Sequence, residues 1–144
     1  MIMHKYSRGF TLVEMMVVVV ILGFLMGIAM PNYSNYMQKT RRTDARNALL
    51  EIAAAQERHF FEQNQYTGTI ADVWSHQDGS DFVSGEGYYT LTVALKSGNT
   101  GTFKATATAR GKQAGDVDCA TLSIDQTRLK TATAGTGGDA SVCW

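Results

Sequence analysis

Gly9-Phe10-Thr11-Leu12-Val13-Glu14 joins a short basic leader to an apolar run over residues 10–30, which Pro31 closes. At ~1.5 Å per residue a helix over that run is about 30 Å long, the thickness of a bilayer core. The run is therefore a candidate membrane span. His4, Lys5 and Arg8 stand directly before it, whereas Lys39, Arg41 and Arg42 follow at a distance. The positive-inside rule then places the N-terminus in the cytoplasm and sends the remainder across the membrane.

Glu14 is the residue that needs explaining. An acid inside a spanning helix costs on the order of 2–3 kcal/mol on insertion scales. Three readings compete: a plain N-terminal anchor, a secretory signal cut after the small-x-small Gly27-Ile28-Ala29, and a cut on the cytoplasmic side after Gly9 that keeps the run. Glu14 counts against the second, since it falls inside the would-be signal core. It favours the third, because cutting after Gly9 creates an α-amine on Phe10, a cation whose ordinary pKa is about 8. That amine lies one helical turn, about 6 Å, from Glu14. Between identical helices staggered by a turn or two, the amine of one meets the carboxylate of the next. Paired charges tolerate an apolar surrounding that neither tolerates alone.

The same six residues, followed by an unbroken apolar run, resemble the class III signal of type IV prepilins and of the related type II secretion pseudopilins. The resemblance implies a prepilin peptidase that cuts between Gly9 and Phe10 and N-methylates the new amine. It also implies storage in the inner membrane and assembly into a helical filament through Phe10 and Glu14. Pro31 falls at the family's usual kink, and Gly23 and Gly27 lie where such helices loosen. Glycine lowers helix stability by about 1 kcal/mol and proline by about 3.

Beyond Pro31, Ala45, Ala48, Leu49, Ile52, Ala53 and Phe60 recur at three- and four-residue steps, one apolar face of a helix. Arg42, Arg46, Glu57 and Arg58 are assigned to the charged opposite face. The spacing predicts one helix of about 50 residues, ending near Glu62 and about 80 Å long. Residues 63–87 read as an irregular connection. From Tyr88 the pattern changes to period two: Tyr89, Leu91, Val93 and Leu95 on one face, then Phe103, Ala105, Ala107 and Ala109 after a turn. Residues 119–125 and 127–133 read as two more strands, completing an antiparallel meander laid on the helix around Leu49 and Ile52.

Cys119 and Cys143 are the two cysteines, and a pair on the exported side of a membrane favours a disulfide. Closing about 25 residues contributes roughly 3–4 kcal/mol in the chain-entropy model. The Cys-bounded end with its terminal Cys143-Trp144 is similar to type IVa minor pilins of the PilE kind.

Lys plus Arg equals Asp plus Glu at 13 each, and losing Lys5 and Arg8 leaves a side-chain charge near −2. That balance excludes a strongly basic nucleic-acid binder. Local clusters remain: Arg41, Arg42 and Arg46, and, where strands unite them, Lys104, Arg110, Lys112, Arg128 and Lys130. Clustered cations are what phosphate contacts need, so these are the candidate DNA face, against the alternative of a solvated or subunit-contacting face. His4, His59 and His76 form no metal-ligand spacing, and no nucleophile, phosphate-cradling or paired-carboxylate motif is present. Neither an enzyme nor a bound cofactor or metal is expected.

The expected organisation is an α+β pilin fold: leader 1–9, membrane and filament-core helix 10–30, amphipathic helix 31–62, connection 63–87, and sheet with Cys loop 88–144. The expected role is a minor subunit of a type IV pilus serving motility, adhesion or DNA uptake. It is first an inner-membrane protein with a periplasmic C-terminal domain and later part of an extracellular filament. Its partners would be other pilin subunits, the prepilin peptidase and the inner-membrane assembly machinery. The alternatives are a type II secretion pseudopilin, against which the two cysteines speak, and a DNA-binding minor pilin of an uptake pilus.

Overall fold

The computed structural model describes residues 9–144, without the side chains of residues 28–32 and 97. The basic leader and the side chain of Pro31, the expected kink, lie outside the described residues. One helix, α1, occupies Leu12–Gln63. It ends where Asn64 takes a left-handed φ of 55° and returns its N–H to the Phe60 carbonyl at 2.8 Å. Asparagine is one of the few residues that accept this cap conformation readily.

The chain forms two compact units, Met1–Met37 and Gln38–Trp144. In the first, the helical side chains described up to Gly27 are exposed, among them Leu12 at 76% and Phe24 at 73%. Among the described residues no helix is long and apolar enough to cross a membrane. Described side chains of the run stop at Gly27, before the Ile28-Ala29-Met30 that completes it.

The second unit places four antiparallel strands in the order β3-β4-β5-β6, which are Tyr89–Leu95, Phe103–Ala109, Thr121–Asp125 and Lys130–Thr133. This is the expected meander, with β5 and β6 starting later than the sequence suggests. Cys119 is kept out of β5 by the tight turn in which its N–H bonds the Asp116 carbonyl at 3.2 Å. β6 waits for a turn in which Asp125 Oδ1 accepts from the N–H groups of Thr127 and Leu129. Ala45, Leu49 and Ile52 on α1 are buried with Leu91, Phe103, Ala105, Ala107, Leu122 and Ile124 of the sheet. Burying a large apolar side chain contributes about 1.5–3 kcal/mol, so this contact dominates the fold.

The 63–87 connection is more ordered than its composition suggests. Gln56 on α1 grips Thr67 from both sides, donating to its carbonyl at 2.8 Å and accepting its N–H at 3.1 Å. Trp74 donates to the Val83 carbonyl at 2.8 Å, closing a small hairpin of β1, Gln77–Asp78, and β2, Asp81–Phe82. Val83 then bridges to Thr90 and ties the segment to the sheet edge. In the loop closed by Cys119 and Cys143, a Cβ on Gly138 would overlap the Val117 carbonyl, so only glycine fits there.

Candidate functional site

The first candidate site is the start of α1. Thr11 Oγ1 accepts the backbone N–H of Glu14 at 3.3 Å, and the Thr11 carbonyl accepts that of Met15 at 3.2 Å. Thr11-x-x-Glu14 is thus a capping-box sequence with Thr11 at the N-cap, a role the sequence reading missed although the spacing was there to be read. Glu14 sits in the first turn, where the helix dipole favours an acid. Gly9 and Phe10 precede the helix and are exposed, Phe10 at 77%, so the bond between them is accessible. Among the described residues the Glu14 carboxylate has no cationic partner. A Cβ built on Gly23 or Gly27 meets nothing within 4 Å.

The second is a polar cluster where α1 meets the C-terminal end. Arg42 forms a two-pronged contact with Asp116, Nε to Oδ2 at 2.7 Å and Nη2 to Oδ1 at 2.6 Å, with side chains only 3% and 1% exposed. Nη2 also reaches Asp118 at 3.2 Å and Nη1 the Val142 carbonyl at 3.4 Å. Gln113 Nε2 completes the shell of Asp116 at 2.8 Å and donates to Tyr89 Oη at 3.1 Å. Burial pushes the Tyr89 phenol up to about 12, so it stays neutral. Hydrogen bonding to Asp116 holds the Arg42 guanidinium above its ordinary value, against the opposing effect of burial. Arg46 Nε donates to the Cys143 carbonyl at 2.8 Å, and Cys143 is bonded to Cys119. The disulfide expected from the sequence is therefore present, and two arginines fasten the loop it closes onto the helix.

This geometry takes the proposed basic face apart. Arg42 is buried and neutralised rather than part of the charged outer face. Arg46 is spent on a carbonyl, and Arg41 lies over the Tyr88 ring at 4.6 Å. Arg110 pairs with Asp78 at 3.0 Å, and Lys130 lies over the Trp144 ring at 5.1 Å. Lys104 stands opposite Asp125, whereas Lys130 stands opposite the buried Ile124, so the two lysines occupy opposite faces of the sheet. Lys104, Lys112 and Arg128 remain exposed. Among the described residues no three His, Cys, Asp or Glu side chains cluster as metal ligands.

Acid should loosen the Cys loop first. The Asp139 N–H, then Arg42, hold the Asp118 carboxyl below its usual range, and Ser141 does the same for Asp139 through its hydroxyl and its N–H. Folded values below unfolded ones mean that this stabilisation is complete above the unfolded pKa of about 4. It is lost as pH falls through the lower folded values. The expected outcome is a urea midpoint flat from pH 7 to 5 that drops below pH 4, with exchange of the Asp139 and Ser141 amides rising ahead of those in β4.

Residues 31–123 match the family model described as type IV minor pilin ComP, DNA uptake sequence receptor, and residues 4–30 match the prokaryotic N-terminal methylation motif. The chain belongs to this type IV minor pilin family. The pilin is 28% identical over 118 residues to fimbrial protein EcpC of Eikenella corrodens, covering 77% of this chain and 72% of the relative. It is 38% identical over 61 residues to the type IV major pilin protein PilA of Myxococcus xanthus, covering 42% of this chain but 28% of PilA. Its fold is similar to the crystal structure of the non-core minor pilin PilV of Neisseria meningitidis. That match has a TM-score of 0.54 at 16% identity and covers 72% of this chain and 98% of PilV. Family and fold are those of structural pilins, not of enzymes.

Proposed function

We propose that this pilin is a minor subunit of a type IV pilus, stored in the inner membrane as a prepilin, cut between Gly9 and Phe10, N-methylated on Phe10 and assembled into a filament. The carrying observation is the exposed apolar start of α1, with Leu12, Val13, Ile21, Phe24 and Leu25 at about half exposure or more and Phe10 just ahead of it at 77%. Each such side chain left in water forgoes about 1.5–3 kcal/mol, so lipid and then neighbouring helices must cover them. In lipid the unpartnered Glu14 is a costly charge, and a neighbour's Phe10 amine in the filament removes that cost. The test is mass spectrometry and quantitation of the chain in sheared filaments. A chain beginning at N-methyl-Phe10 is expected, with Glu14→Ala reducing incorporation about tenfold or more while membrane levels hold. Equal incorporation of Glu14→Ala sinks the charge-pair account.

The family description favours a second reading, a receptor for duplex DNA. Exposed Lys104, Lys112 and Arg128 are the cations of the sequence set left to meet phosphates. Each phosphate contact lowers the slope of log K against log salt by about 0.9. The full chain in neutral micelles, titrated with duplex, should therefore give a slope of about −2 to −3. A flat salt response would dismiss the receptor reading.

A further inference from the structure

β4 carries a line of polar side chains on the face of the sheet turned away from α1. Successive side chains of a strand alternate in face, and Phe103, Ala105 and Ala107 are buried toward the helix. Lys104, Thr106 and Thr108 therefore share the outer face. Arg110, extended at φ −133° and bonded to the Tyr88 carbonyl at 3.0 Å, continues the line. It reads cation, hydroxyl, hydroxyl, cation, at steps of about 6.8 Å.

The four groups are available to a ligand. On the neighbouring strands hydroxyls satisfy one another, Thr121 with Thr133 at 2.6 Å and the buried Ser123 with Thr131 at 2.7 Å. Those of Thr106 and Thr108 have no partner among the described residues. Lys104 is exposed and, among the described residues, makes no ion pair with Asp125, which stands opposite it. Arg110 meets Asp78 at 3.0 Å, with side chains 31% and 68% exposed. Exposed pairs are weak and screened, so a phosphate can replace Asp78. Asp125 Oδ1 is taken by the N–H groups of Thr127 and Leu129. Two further cations flank that carboxylate. Lys96 lines the same hollow as Lys104 and Asp125, and Arg128 sits in the turn that returns its N–H to the Asp125 carbonyl at 2.9 Å.

Spacing and reach select the partner. B-form DNA rises about 3.4 Å per pair with about ten pairs to a turn, so successive phosphates of one strand lie about 7 Å apart. Four of them curve around the duplex, the outer two standing about 4 Å farther from a flat surface than the inner two. Lys and Arg side chains outreach a threonine hydroxyl by about that distance. Short hydroxyls in the middle and long cations at the ends thus match a convex backbone. Strand propensity explains the threonines. It does not explain a cation at each end of them on the same two-residue step.

We propose that one backbone of duplex DNA lies along β4, with four successive phosphates on Lys104, Thr106, Thr108 and Arg110. This placement rests on the receptor reading above and makes Thr106 and Thr108 phosphate ligands. Contacts of this kind fix the position of the duplex and leave its sequence unread.

The test is fluorescence anisotropy of the full chain in neutral micelles with a labelled duplex of about 20 base pairs, at about 50 to 200 mM salt. Thr106→Val and Thr108→Val keep shape and strand preference and lose a hydroxyl. Each should weaken binding about fivefold at an unchanged salt slope, because no charge is lost. Lys104→Gln and Arg110→Gln should each bring the slope about 0.9 closer to zero. Thr121→Val, on β5 with its hydroxyl bonded to Thr133, should leave binding as it is. Duplex affinity unmoved by both β4 threonine substitutions, or weakened as much by Thr121→Val, would overturn the placement and leave the receptor reading standing. Absence of salt-dependent duplex binding would overturn both.

Discussion

Arg42→Met should lower the stability of the Gln38–Trp144 unit by about 3–5 kcal/mol, seen as a large fall in the urea midpoint of the full chain in micelles. The loss comes less from the contact removed than from what is left behind. Asp116 is 1% exposed on its side chain and would keep a buried charge whose remaining donor in the cluster is Gln113. A domain of this size holds about 5–15 kcal/mol in total, so the variant is expected to be partly unfolded at 37 °C. Replacing both partners discriminates this cause from simple loss of packing. Arg42→Met with Asp116→Leu removes the stranded charge, and its stability should recover most of the deficit, because well-packed apolar groups often replace a buried ion pair at little cost. A double variant as unstable as Arg42→Met alone would mean that the pair's value lies in its links to Asp118 and Val142.

Arg42 also marks the boundary of what could be read from sequence. Period-two alternation located β3 and β4, because a sheet with one covered face must alternate, and Tyr89, Leu91, Phe103, Ala105 and Ala107 are indeed buried. Three- and four-residue steps located the buried face of α1 for the same reason. The same steps run through Arg42, Ala45, Leu49, Ile52 and Gln56, all buried. A polar residue on an apolar stripe signals a buried partner. Reading Arg42 as surface charge overlooked that signal, which Gln56, gripping Thr67, carries as well. The identity of the partner was beyond reach, since Asp116 lies 74 residues away and only the folded sheet brings it back.

Cys143→Ser should cost about 3.5 kcal/mol, the entropy that closing a loop of about 25 residues removes from the unfolded chain. The bond between Cys119 and Cys143 spans a sequence separation of 24 and closes residues 120–142, of which the part beyond β5, 126–142, has only a slight core of its own. Within that part Ala132 and Ala134 are partly covered, while Leu129 is 58% and Val142 45% exposed. The loop is instead held from outside, by Arg46 on the Cys143 carbonyl, Arg42 on the Val142 carbonyl and the Trp144 indole on the Thr131 carbonyl at 2.8 Å. These contacts depend on the last residues staying in place, so opening the bond should release them together. Two signatures separate this from an ordinary core lesion. The urea slope m should rise, because an unfolded chain without the cross-link exposes more surface. The indole signal of Trp144 in near-ultraviolet circular dichroism should fade before the β4 amides lose protection from exchange. Unchanged m together with simultaneous loss of both signals would show that the disulfide acts on the folded state and that the loop does not open on its own.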